Sequence, residues 1–475
     1  MARVTETWHV KLFYGCGTIA YGVKDNAFQI YLLFYYTLIH GMSAAVVSSA
    51  LLVAVLLDSV TDPLVGQFSD NIRTRLGRRH PFMFAAIIPA ALSFYFLWLP
   101  PERISDDNVF WYLLVCASAT RFFITFYEIP STALQAELTQ DYNQRIQFAS
   151  LRYFFGWFGG AGISMFALAT IFADSTEFPN GLTNPAAYGE YALLGAALMI
   201  ASMLISSLGT VRYVPHLVED KSEPIATLGG ILKNLWFALT DKVFAPLFGT
   251  ALLFAMGLGV SVSLSLFFNT FFWEFTTAQM ATLSLSFLVG AGIAPIAAPL
   301  ATRGRFGKRR AAIVLAAIAT LLIPLPVLLR LVGIMPENGS TALMLIIFIQ
   351  LALAVGLGVA AEILVQAMVA DVVEDNERRT GRRSAGVFFA ARTFASKSTN
   401  GLGVLIGGLI VSAAGLEKGM SPEVATPDMI SLLGELYVPV ILAIYLVAIF
   451  LLTRFQITRA RHAENLKALA RNESD

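Results

Sequence analysis

Residues 44–81 read AAVVSSALLVAVLLDSVTDPLVGQFSDNIRTRLGRRHP, an apolar run that ends in a dense basic patch. A helix rises about 1.5 Å per residue, so about 20 such residues cross the hydrocarbon of a bilayer. Two carboxylates, Asp58 and Asp62, lie inside the run, about one turn apart and on one face. An ionisable group at the bilayer centre costs about 2.5–3.5 kcal/mol by insertion scales, so such groups face a bundle interior and do a job there. Two adjacent carboxylates either share a proton or need a cation between them. The stretch therefore predicts a helix of a cation-coupled transporter.

The remainder of the chain agrees. Of 475 residues, 56% are hydrophobic and 14% charged, with a mean hydropathy of +0.67, against about 25% charged in a soluble domain. The apolar runs are long and continuous, which excludes the period-two alternation of a membrane barrel. Spans are expected at 12–39, 43–70, 81–100, 109–137, 147–173 and 189–212. Six more follow at 243–272, 276–302, 310–332, 341–371, 384–415 and 431–454. This predicts an all-α membrane protein with twelve transmembrane helices in two six-helix bundles. The bundles cover 1–212 and 243–455, joined by a cytoplasmic linker at 213–242 and followed by a cytoplasmic tail at 456–475.

Lys and Arg concentrate in loops 71–80, 303–310 and 373–383, the linker and the tail, while the opposite loops carry only Arg103, Lys418 and the span-end Arg330. The positive-inside rule then puts both termini in the cytoplasm, and a bacterial inner membrane is the expected location. The N-terminal MARVTETWHVK lacks the apolar core and small-residue site of a cleaved signal, so the first span is expected to serve as insertion signal. Cys16 and Cys116 fall in apolar runs without CxxC or His partners and read as buried thiols. No metal other than a possible sodium ion, no organic cofactor, no nucleic acid and no enzymatic activity are expected. With no GxxxxGK[ST] stretch, an ion gradient is the expected energy source and a monomer the expected state.

The two halves repeat each other. LVGQFSDNIRTRLGRRHP after the second span has a counterpart in IAAPLATRGRFGKRRA after the eighth. Glu128, Glu137, Asp141 and Arg145 recur 234 positions later as Glu362, Asp371, Asp375 and Arg379. Parallel six-helix repeats around a midplane site are the layout of the major facilitator superfamily.

Several residues inside the spans carry chemistry. Thr61 and Thr125 can add neutral oxygens to Asp58 and Asp62. Pro63 loosens the backbone beside them, and an all-oxygen set suits a proton or a hard cation such as sodium. Lys24, Asp25, Glu128 and Arg152 form either an ion-pair brace between helices or a polar cage for hydroxyl groups. Tyr35, Tyr153 and Trp157, with Tyr21 and Tyr36, either stack on the apolar face of a sugar or pack the bundle. Lys397 needs an anionic partner, for which the Asp58/Asp62 pair is the natural candidate. Arg392 mirrors Arg152, with an ion pair to Glu362 as one reading. The basic loops serve topology and can also clamp the cytoplasmic face, a gate built from Asp70, Arg73, Arg78, Asp141, Arg145 and Arg379 with Glu377 as a further acid.

At these residues the sequence resembles the glycoside–pentoside–hexuronide:cation symporters of the major facilitator superfamily, strongest over the first five spans and in the block DSVTDPLVGQFSDNIRTRLGRRHP. The resemblance implies that Asp58, Asp62, Thr125 and Thr61 line a cation site for H+ or Na+, and that Lys24, Asp25, Glu128 and Arg152 contact a sugar. It also matches Lys397 to the family's lysine of the eleventh helix. Three positions depart from the family's galactoside carrier: Glu128 replaces an aspartate, Thr132 a stacking tryptophan in the same pocket, and Arg121 a glycine. The expected function is uptake of a small polyhydroxylated solute driven by inward cation flow. Symport of a lysolipid or other amphiphile is the alternative, and a non-transporting membrane sensor is the alternative of another class.

Overall fold

A computed structural model describes residues 7–101, 106–217, 243–302, 307–380, 385–416 and 424–455, with isolated positions between them. The tail 456–475, most of the linker, Arg103, Lys418 and the side chains of Glu377 and Arg379 lie outside the described residues. The described chain is helical. Two compact units divide it, the first comprising residues 1–227 with 276–281 and 417–421, the second the rest.

In the first unit, α1 (residues 8–39) is followed by α2 (Ala44–Asn71), α3 (His80–Leu97), α4 (Asp106–Leu138), α5 (Tyr142–Ala169) and α6 (Pro185–Val211). In the second come α7 (Ala245–Phe272), α8 (Thr277–Thr302, whose first residues to 281 group with the first unit), α9 (Lys308–Leu322 and Leu325–Leu331), α10 (Thr341–Thr380), α11 (Ala385–Ala413) and α12 (Pro427–Thr453). Among the described residues, ten helices are long and apolar enough to cross a membrane. The two expected spans outside that set are α1 and α5. The first is broken into short α and π segments, and the second is diluted by glycines and Arg152. The expected span at 310–332 is interrupted at Ile323 and Pro324, where a proline removes a backbone donor.

The repeat is visible in the packing. In the first unit α1 lies against α5 and α6, and α3 against α4 and α6; in the second α7 lies against α11 and α12, and α9 against α10 and α12. Glycines allow the closest crossings. A Cβ built on Gly22 of α1 would stand 2.0 Å from the Gly156 carbonyl oxygen of α5, and one on Gly403 of α11 would stand 2.1 Å from the Met256 carbonyl oxygen of α7. Small residues at such crossings let backbones touch and gain dispersion energy where lipid supplies no hydrophobic drive.

The first helix of each unit also ends alike. α1 closes with a π turn at Tyr35–Ile39 and α7 with one at Phe268–Phe272. Beyond each turn a six-residue hydrogen bond closes the chain, Met42 N to Tyr36 O at 3.0 Å and Phe275 N to Asn269 O at 2.8 Å. The residue between adopts positive φ in both, Gly41 at 74° and Glu274 at 50°. The π turns were not legible in the apolar periodicity. They arise from backbone geometry, and such turns gather at functional sites.

The core of the first unit holds a cluster of buried rings: Tyr31, Tyr35, Tyr36, Trp98, Tyr188 and Tyr191. The second is aliphatic around Leu247, Ala312, Val365 and Leu452.

Candidate functional site

One stripe of α4 carries the site. Arg121, Thr125, Glu128 and Thr132 follow one another at intervals of four, three and four residues, which stacks them along a single face. α2 delivers Asp58 and Asp62 to the Arg121–Thr125 end, and α5 delivers Arg152 to the Glu128–Thr132 end.

At the first end, Thr125 Oγ1 lies 2.8 Å from Asp58 Oδ1 and 2.9 Å from Asp62 Oδ1. A hydroxyl carries one hydrogen and donates to one oxygen only. The second short contact between oxygens is favourable when the other carboxyl carries a proton, or when a cation sits among the three oxygens. Arg121 Nη1 stands 3.3 Å from Asp58 Oδ2. Its guanidinium carbon is 4.6 Å from the ring centre of Phe28 on α1. The Thr61 hydroxyl donates to the Asp58 carbonyl of its own helix at 3.0 Å. Pro63 lacks the donor that Ser59 O would otherwise accept, and the break falls beside Asp62.

At the second end, Arg152 Nη2 is ion-paired with Glu128 and donates to Thr132 Oγ1 at 2.9 Å. Its Nη1 donates to Ser131 Oγ at 3.0 Å and approaches the Tyr14 hydroxyl at 3.4 Å. The guanidinium also lies 5.2 Å from the Tyr14 ring centre. The Thr18 hydroxyl on α1 lies between two carbonyl acceptors, 2.8 Å from that of Arg152 and 2.7 Å from that of Gly15 on its own helix. Tyr14 and Ser131 escaped the sequence reading because neither is charged. Their signal is position alone, three residues beyond Glu128 for Ser131.

Lys24 and Asp25 pair with each other at 3.3 Å. Lys24 Nζ lies 4.1 Å from the Tyr21 ring centre, and Gln29 donates to Asp25 Oδ2 at 2.6 Å. The Lys24–Asp25 pair lies within α1, and the Asp25 side chain stays 34% exposed. Tyr35 is placed elsewhere. It is buried in the ring cluster, packs tilted against Tyr188 with ring centres 4.3 Å apart and donates its hydroxyl to the Trp98 carbonyl at 2.7 Å. Tyr153 and Trp157 are exposed on α5 together with Phe154 and Phe158.

In the second unit Arg392 of α11 is ion-paired with Glu362 of α10, as Arg152 is with Glu128. Lys397 sits half-buried further along α11.

The basic loops tie into their own units. Arg79, 4% exposed, pairs with Asp70 at 2.5 Å and with Glu137 at 3.0 Å, and Arg78 reaches the same Glu137 oxygen at 2.9 Å. Lys308 holds Asp371, the repeat counterpart of Glu137, at 2.7 Å. Arg73 is exposed, Asp141 caps α5 by accepting from Gln144 N at 2.9 Å, and Arg145 donates to the Thr139 carbonyl at 3.2 Å. Of the expected gate residues the structure joins Asp70 and Arg78 to this network, through Arg79 and Glu137. Neither of these had been singled out as gate residues, although Glu137 stood in the repeat.

A family model described as MFS/sugar transport protein matches residues 13–459. The chain belongs to this family. It is thus a major facilitator transporter and not an enzyme. An isoprimeverose transporter of Lactiplantibacillus pentosus is similar to this facilitator chain, 26% identical over 86% of it and 81% of the relative. Sodium-dependent lysophosphatidylcholine symporter 1 of Gallus gallus is 24% identical over 97% and 88%. A Synechocystis protein described as an uncharacterized symporter is 34% identical over 45% of the chain, a match spanning 38% of that relative's length. In fold, a bacterial homologue of the human lysosomal transporter Spinster superposes with a TM-score of 0.65 at 14% identity, over 98% of this chain and 99% of that one.

Proposed function

We propose that the chain is a secondary active symporter that takes up a glycoside, pentose or hexuronide with a proton or sodium ion, by alternating access of two bundles. In this reading all twelve helices cross a bacterial inner membrane, both termini are cytoplasmic and the protein works as a monomer. The names of the relatives support it: an isoprimeverose transporter and a sodium-dependent symporter are similar over most of the chain.

The single observation that carries the reading is the shared stripe of α4. Three residues separate Thr125, which touches both carboxylates of α2, from Glu128, which is paired with Arg152. That is an axial step of about 4.5 Å. A positive charge received at Asp58 and Asp62 pulls α4 against α2 and so sets the position of Glu128 and Thr132 before the solute. A ligand shifts a conformational equilibrium only by its differential affinity for the two states, and the coupling is reciprocal. Glu128, Arg152, Lys24, Asp25 and Thr132 hold the solute hydroxyls. Glu362, Arg392 and Lys397 couple the second bundle, and Asp70, Arg73, Arg78, Asp141, Arg145 and Arg379 gate the cytoplasmic face.

Symport of an amphiphile is the second reading, favoured by the exposed row of Tyr153, Phe154, Trp157 and Phe158 next to Arg152, with Tyr153 70% exposed. The test is uptake by proteoliposomes of a radiolabelled panel: isoprimeverose, xylose, glucuronate and lysophosphatidylcholine, with imposed proton or sodium gradients. Uphill accumulation of a sugar supports the first reading, and accumulation of the lysolipid alone supports the second. Binding without counterflow identifies a sensor and overturns both.

A further inference from the structure

The coupling site contains a charge that its simplest form does not need. We propose that Arg121 is a tethered cation that takes the place beside Asp58 which a sodium ion would otherwise hold, and that it makes symport by this chain independent of sodium. The inference rests on the reading of Asp58, Asp62 and Thr125 as the coupling site and narrows which ion that site accepts.

Three elements build the arrangement. Arg121 rises from α4, its Nη1 meets Asp58 Oδ2 of α2 at 3.3 Å, and its face rests on Phe28 of α1 at 4.6 Å. The side chain is 11% exposed and that of Asp58 5%. A guanidinium stays charged at every pH a cell meets, and an aromatic face beneath it adds attraction without competing for the carboxylate.

The other Asp58 carboxylate oxygen lies 2.8 Å from the Thr125 hydroxyl. Both oxygens of Asp58 are therefore in contact with side chains of α4. A metal cation binds by gathering oxygen lone pairs from several sides, and here it would stand beside a fixed guanidinium that repels it. A proton needs one lone pair on one carboxyl oxygen. Arg121 already offsets one of the two negative charges that Asp58 and Asp62 carry between them. Elsewhere in the first unit, Glu128 is paired with Arg152 on the same stripe, and Lys24 with Asp25 on α1.

The experiment reads sodium binding directly and needs no knowledge of the solute. The thermal midpoint of the purified full-length protein is followed as NaCl replaces choline chloride at constant pH and ionic strength. A ligand that binds only the folded state raises that midpoint in proportion to the logarithm of its concentration over Kd. We expect the native chain and Arg121→Lys to show no sodium-dependent rise. Arg121→Ala should gain a rise that grows with the logarithm of sodium concentration and reaches several degrees at about 100-fold excess over Kd. Parallel transport assays with any solute taken up should show sodium stimulation of Arg121→Ala alone. A sodium shift in the native chain that rises with the logarithm of sodium concentration overturns the inference, and so does a folded Arg121→Ala as blind to sodium as the native chain. If Arg121→Ala does not fold, native chain and Arg121→Lys decide, because sodium stabilisation of either contradicts the inference. Absence of transport for every sugar instead counts against the functional reading and leaves the sodium result standing.

Discussion

Glu128 and Glu362 stand 234 residues apart, and each is ion-paired with an arginine of the helix that follows, Arg152 and Arg392. The same acid on the fourth helix of each unit thus meets the same kind of base on the fifth. Their surroundings differ. Arg152 also bonds Ser131 and Thr132, whereas the Arg392 Nε is buried without a hydrogen-bond partner among the described residues.

The first prediction follows from that difference. Arg152→Ala removes charge-assisted bonds worth about 1.5–3 kcal/mol each and should weaken solute binding at least about ten-fold, with cation dependence intact. Arg392→Ala should change turnover more than affinity. Equilibrium binding and initial-rate uptake on both variants separate the two, and unchanged affinity in Arg152→Ala would remove it from the solute pocket.

Thr125 is the second test. Thr125→Ala leaves two carboxylates facing each other with no shared donor, and uphill uptake should fall about ten-fold or more. Thr125→Ser keeps the hydroxyl and should retain most of it, because a hydrogen bond to a charged group contributes about 1.5–3 kcal/mol. Equal losses in both variants would mean that the methyl group and not the hydroxyl matters.

At the basic end of α2, burial ranks the arginines. Arg79→Ala leaves Glu137, itself 4% exposed, without one of its partners and should destabilise the protein by about 3–5 kcal/mol. Arg73 is exposed and its alanine variant should stay within about 0.5 kcal/mol of the native chain. Thermal midpoints in detergent check the order, and an Arg79→Ala as stable as Arg73→Ala would contradict it.

The helix ends give a prediction of opposite sign. Glu274 holds a φ of 50° where its counterpart is Gly41 at 74°. A left-handed residue with a Cβ is strained, so Glu274→Gly should raise stability by about 0.5–1 kcal/mol, and Gly41→Ala should lower it by about 1 kcal/mol. A loss of stability in Glu274→Gly would show that its side chain holds the turn.

Much of this site was legible in the sequence because charge in hydrocarbon is costly and therefore conspicuous. Asp58, Asp62, Glu128 and Arg152 stand out in apolar runs for that reason, and the 234-residue repeat locates their counterparts. What could not be read depends on side-chain direction. Arg121 was visible as an added charge, but its partner was not, since nothing in a one-dimensional pattern says that it turns toward Asp58. In the run RRH the sequence offers two equivalent arginines, and only packing buries Arg79 while Arg78 stays at the rim. Tyr35 is an aromatic near the expected pocket whose hydroxyl is drawn to the Trp98 carbonyl instead. The π turns of α1 and α7 shift side-chain direction within runs that read as ordinary helix.

The central claim is that a charge received between Asp58 and Asp62 drives the solute. Asp62→Asn in proteoliposomes loaded with solute tests it most directly, comparing gradient-driven accumulation with solute counterflow in the same preparation. The account predicts that counterflow persists while accumulation above equilibrium disappears. Undiminished uphill accumulation in Asp62→Asn would contradict it.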